Sequence, residues 1–163
     1  MDDKPDWLPD PLTIERYNSE VLEDVYRRFC RDLVRNCCRY GGVSVFIANR
    51  DLLKGKERTF WHLISTGESD LDREIDLDRC RHLNWIRPII ENSADSRVLK
   101  WTVIQRRTER TKLWLREAGF LIILDRGRNS YRIVTGYPIT STKTKMKLVR
   151  EYEAAAKNQK PPS

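Results

Sequence analysis

His62 is one of only two histidines in the chain, and it follows Lys54, Lys56 and Arg58 within the run K-G-K-E-R-T-F-W-H-L-I. An imidazole titrates near neutral pH and can take or give a proton, while lysine and arginine suit a phosphate. These residue types fit metal-free cleavage of RNA. A base removes the 2′-OH proton, cations stabilise the charged phosphorane, and an acid protonates the leaving 5′-oxygen. A histidine beside Phe60 and Trp61 also has an ordinary structural role open to it.

Three further groups could meet RNA. His82 is flanked by Arg79, Arg81 and Arg87, either facing RNA or forming a solvated basic helix surface. The loop Asp125 to Arg132 contains Arg126, Arg128 and Arg132 and leads into a strand with Thr135 and Tyr137 beside Gly136; an ordinary hairpin is the alternative. Arg106, Arg107, Arg110 and Lys112 next to Trp114 combine charge with an aromatic surface, as single-stranded nucleic-acid sites do, or they line the solvent side of a sheet edge.

Other chemistry is poorly supplied. HExxH and a Cys/His cluster of ligand spacing are missing, so hydrolysis is expected to need no metal. GxGxxG and GxxxxGK[ST] are missing too, so no cofactor is expected and nucleotide-driven enzymes are disfavoured. Cys30, Cys37, Cys38 and Cys80 match neither zinc knuckles nor a secreted disulfide framework and read as buried, reduced thiols.

Charge agrees with an anionic partner. The 163 residues hold 31 Lys and Arg against 24 Asp and Glu, a net charge of +7. Met1 to Asp24 has 8 acids and 2 bases, whereas Arg97 to Arg150 has 14 bases and 3 acids, so the basic face should belong to the second half. No apolar run is long enough to span a membrane, and MDDKPDWLPD does not resemble a signal peptide, so a cytoplasmic protein without a membrane partner is expected.

The positioning elements follow from periodicity. Residues 1–16, with three of the seven prolines, read as an extended acidic arm that docks through Trp7 and Leu8. From Ser19 as N-cap, apolar residues at three- and four-residue steps as far as Cys37 predict a helix ended by Gly41-Gly42. Val43 to Ala48 predicts a strand, and Asp76 to Glu91 a helix kinked or restarted at Pro88. WTVI, KLWL, FLIIL and RIVTGY predict antiparallel strands, and Lys145 to Ala156 a last helix. The expected fold is therefore α+β: helices, then an antiparallel sheet of about four strands, then a C-terminal helix. One domain spans 17–157, with 158–163 as a disordered tail.

The ordered motifs K-G-K-x-R-x-F-W-H-L-I, D-R-C-R-x-L-N-W-I-R-P-I-I, F-L-I-I-L-D-R and R-I-V-T-G-Y-P-I resemble phage-associated nucleases of the barnase, EndoU, colicin and RelE-like (BECR) superfamily. The resemblance covers Asp51 to Tyr152. It implies a metal-independent endoribonuclease that leaves a 2′,3′-cyclic phosphate and serves as a toxin or effector in phage or bacterial conflict. It nominates His62 as acid or base, Lys54 or Lys56 with Arg126 as phosphate cations, and Thr135 and Tyr137 as a polar pair. Arg79 and Arg87 would face the groove. The basic runs themselves add Arg58, Arg106, Arg107, Arg128 and Arg132 as expected RNA contacts. The late-strand motif, often T-A-Y in that superfamily, is Thr135-Gly136-Tyr137 here, which relaxes the strand and puts the placement of Tyr137 in question.

Two other readings use the same residues: a non-catalytic RNA- or nucleic-acid-binding protein, and a phage structural or adaptor protein. The toxin reading expects RNA as partner, tRNA among the targets, and an acidic antitoxin or immunity protein. Alternatively, the acids from Asp2 to Asp10 would cover the basic groove in cis.

Overall fold

The computed structural model describes residues 4–158. Helix α1 (Ser19–Phe29) is capped by Asn18, one residue before the expected cap, whose side-chain oxygen accepts the Val21 N–H at 2.8 Å. It buries Val25 and Phe29, then widens into a π-helical turn over Cys30–Arg35. The expected helix to Cys37 is thus too long. Gly41-Gly42 is instead the tight turn between β1 (Cys38–Tyr40) and β2 (Val43–Ile47), and positive φ at both glycines suits a two-residue hairpin.

The small ribbon β3 (Leu52–Leu53) and β4 (Lys56–Glu57) leads into α2 (Arg58–Ile64). A second ribbon, β5 (Ser65–Thr66) with β6 (Glu74–Ile75), brackets the polar loop. The helix expected over Asp76 to Glu91 is three pieces: α3 (Leu77–Arg81), a 3₁₀ turn (Leu83–Trp85) and α4 (Ile86–Glu91). Pro88 falls in the first turn of α4, where a backbone N–H has no helical acceptor to lose.

Strands β7 (Val98–Gln105), β8 (Thr108–Leu115), β9 (Phe120–Arg126) and β10 (Tyr131–Pro138) form the expected meander, followed by α5 (Thr142–Asn158). The α+β class holds, but the sheet has six strands in the order β1-β2-β10-β9-β8-β7. It is mixed rather than antiparallel, because β2 lies parallel to β10. Local alternation marks a strand and says nothing of a partner far along the chain.

Alternate residues of β9 serve two packed layers. Phe120, Ile122 and Leu124 join Phe29, Phe60 and Ile90 in the larger core, whereas Leu121 joins Trp101, Trp114 and Leu148 of α5 on the opposite face. Trp101 gives its indole N–H to Glu151 at 2.8 Å, and Lys112 pairs with the same carboxylate at 2.6 Å, which fixes α5 on that face. Burying one such leucine is worth about 1.5–3 kcal/mol.

The described part of the arm is tied to the helical layer. Leu8 is buried, Trp7 Nε1 donates to Asp95 Oδ2 at 3.0 Å, Trp85 Nε1 donates to Pro9 O at 2.7 Å, and Arg81 Nε donates to Ile14 O at 2.9 Å. Asp10 is engaged by Lys4 at 2.5 Å within the arm itself. Asp2, Asp3 and the tail beyond Asn158 lie outside the described residues. Cys38 and Cys80 are buried free thiols, pushed up by burial to about 12 and about 11, while Cys30 and Cys37 are half-buried. Among the described residues no helix is long and apolar enough to cross a membrane.

Candidate functional site

Helix α2 turns Phe60, Leu63 and Ile64 inward, and His62 is left on the outer side of the helix. Across from it, β10 contains a bulge between Ile133 and Thr135. Ile133 pairs with Leu124 and Thr135 with Ile123, so the bulge absorbs Val134 and moves Thr135 to the face opposite Ile133. Tyr137, paired with Leu121, lies on that same face. His62, Arg79, Thr135 and Tyr137, with Arg73 and Gly67, line one open depression of about 350 Å³.

Arg79 joins the two sides. It donates from Nη1 to the His62 carbonyl at 3.0 Å and lies 4.8 Å from the centre of the Tyr137 ring. Partial burial lowers its pKa, yet a guanidinium stays charged throughout the working range. Burial raises the Tyr137 hydroxyl, partly offset by Arg79, so at neutral pH it is a proton donor.

His62 is engaged on one side. Its Nε2 is 3.2 Å from Asp70 Oδ1, and the other Asp70 oxygen pairs with Arg58. The hydrogen bond from His62, with the charge of Arg58 beside it, holds the Asp70 carboxyl below its ordinary value. The loop that presents Asp70 is closed by Arg73, which donates to Ser65 Oγ at 2.8 Å, Ser65 O at 2.7 Å and Gly67 O at 3.3 Å. Gly67 is required there: at φ +155° a Cβ would meet the Asp72 carbonyl oxygen at 2.8 Å.

The remaining nominated residues are dispersed. Lys54 is exposed at the β3–β4 turn, and Lys56 is held by Glu23 at 2.8 Å over the Tyr26 ring. Arg87 clamps the chain after α1 through the carbonyls of Asp32 (2.7 Å) and Asn36 and pairs with Glu91. Arg126 lies 5.8 Å from the Tyr131 ring centre, and Arg128 is exposed in the adjoining loop. Arg132 is exposed on β10, on the face of Thr135. Arg106 and Arg107 form the β7–β8 turn, both at positive φ, and Arg110 pairs with Asp125 at 3.0 Å. His82 packs edge-on against Trp85, with Nδ1 2.6 Å from the Asp78 carbonyl oxygen.

Asp70 and Arg73 went unnoticed in the sequence, because the stretch T-G-E-S-D-L-D-R has no periodicity; its one pointer is Gly67. The groove thus assembles an imidazole with an orienting carboxylate, a fixed cation and two neutral hydroxyls. Among the described residues no group of three or more His, Cys, Asp or Glu is placed to hold a metal ion. No family model matches the chain, and no curated protein or solved structure matches it either.

Proposed function

We propose that the chain is a metal-independent endoribonuclease of the BECR superfamily, acting in the cytoplasm as a toxin or effector on RNA. What supports the reading is one convergence: His62, Arg79, Thr135 and Tyr137, named from separate motifs, line a single groove. A neutral His62 that donates its Nε2 proton to Asp70 keeps Nδ1 as the basic atom. Nδ1 takes the 2′-OH proton, the 2′-oxygen bonds to phosphorus, and the bond to the 5′-oxygen breaks. The leaving oxygen takes a proton from the Tyr137 hydroxyl, and Arg79 stabilises both the phosphorane and the resulting tyrosinate. Thr135 hydrogen-bonds a phosphate oxygen. An acidic antitoxin would silence the enzyme by covering this groove.

Purified protein incubated with total RNA in EDTA tests the reading. Discrete fragments ending in 2′,3′-cyclic phosphate are expected, and His62→Ala should lower the rate on the order of a hundredfold or more. Intact RNA with both proteins, alongside salt-sensitive RNA binding, would instead favour a non-catalytic binding protein. Exposed Arg132, on the face of Thr135, is the observation that supports this second reading.

A further inference from the structure

A second cavity adjoins the groove on the far side of Asp70. It encloses about 310 Å³ between the start of α1, the β3–β4 hairpin and the loop 67–73, at the lower end of the size range of small-ligand sites. Leu22 from α1, Ile75 from β6, Tyr17 and the Trp61 indole supply apolar and aromatic lining, beside the polar Ser65, Lys54, Asp70 and Arg73. That indole is pinned, because Nε1 donates to Leu53 O at 2.7 Å and the ring meets Phe60 edge-on at 5.4 Å. Tyr17 is 38% exposed.

Two side chains link the spaces. Arg73 lines the cavity and the groove alike, and Asp70 lines the cavity while its Oδ1 bonds His62. Lys54 stands at the rim with φ +54°, a conformation that residues other than Gly, Asn and Asp seldom adopt. Its ammonium has no partner among the described residues. The cavity therefore combines apolar and aromatic side chains with a carboxylate and an uncommitted cation.

We propose that this cavity takes one base of the RNA strand, that of the nucleotide next to the phosphate at His62, with Lys54 on the neighbouring phosphate. The assignment rests on the ribonuclease reading for the identity of the strand. Aromatic and apolar walls suit a nucleobase face, and the positive rim suits the phosphate attached to it. Asp70 would then touch both the base edge and the catalytic imidazole, so that filling the cavity is sensed at His62.

Titration with adenosine, guanosine, cytidine and uridine 5′-monophosphates, followed by NMR of the Trp61 indole and the Ile75 methyls, tests it. At least one should shift those signals in the wild type. Leu22→Trp, which fills the space, should weaken binding by about tenfold, and Lys54→Ala, on the surface, by severalfold. Unshifted Trp61 and Ile75 signals with all four nucleotides, or wild-type affinity in both variants, would overturn the proposal. Lys54→Ala and the wild-type shifts carry the test if Leu22→Trp does not fold. Mononucleotides are not cleaved, so a ribonuclease whose cavity stays empty overturns the cavity alone. A filled cavity in a protein that leaves RNA intact supports the cavity and sinks only the cleavage reading.

Discussion

Asp70 holds an imidazole and a guanidinium at once, and its removal separates what it does for chemistry from what it does to binding. Asp70→Asn loses the strong acceptor that orients His62, and on the ribonuclease reading it also removes an anion from beside a groove that admits phosphate. RNA binding should tighten severalfold and the cleavage rate should fall by about tenfold, a split read from single-turnover rates across enzyme concentration. Equal loss of both would mean that Asp70 merely supports the fold. The sign with pH follows from the depressed carboxyl. Its contribution to stability is present above the unfolded value of about 3.9 and is lost as pH falls through the lower folded value. The loop should therefore stay anchored at every pH above about 4, so changes in rate between pH 5 and 8 are not caused by Asp70 letting go.

The bulge in β10 is what brings Thr135 and Tyr137 onto the face of His62, and Gly136 lies between them in ordinary β geometry. A Cβ on Gly136 would meet Phe120 at 3.4 Å and Ile122 and Ile86 at 3.5 Å, normal contact distances at a φ any residue adopts. Gly136→Ala should thus leave cleavage unchanged and alter stability by at most about 1 kcal/mol, in the stabilising direction, as measured by urea unfolding. A large loss would mean that the strand needs the glycine. The meander β7 to β10 was legible because short apolar runs rich in β-branched and aromatic residues are separated by turn residues. Polar Thr135 and Tyr137 were legible as types, but the one-residue slip that aligns them with His62 leaves no mark on periodicity. The same holds for α1: apolar spacing runs on to Cys37 although the backbone loosens into a π turn at Cys30. Lys56 read as a phosphate cation and Arg87 as a residue facing the groove, yet Glu23 and the carbonyls of Asp32 and Asn36 hold them, partners too distant in sequence to anticipate.

Seen whole, the sheet is a local meander with a foreign pair of strands attached. β7, β8, β9 and β10 follow one another, whereas β1 and β2 come from earlier in the chain and are hydrogen-bonded into the sheet through the parallel junction of β2 with β10. Parallel pairing across a long loop is entropically costly and slow. Native-state hydrogen exchange should accordingly find the amides of β1 and β2 opening at lower free energy than those of β8 and β9. Uniform protection across all six strands would refute that hierarchy. The position of β10 also sets a clock on the ribosome. His62 emerges early, but its facing residues are on the last strand, which joins β2 to β9. A nascent or truncated chain therefore has the imidazole without a groove to use it in. If the chain cuts RNA, it is harmless to the ribosome that makes it until β10 has emerged.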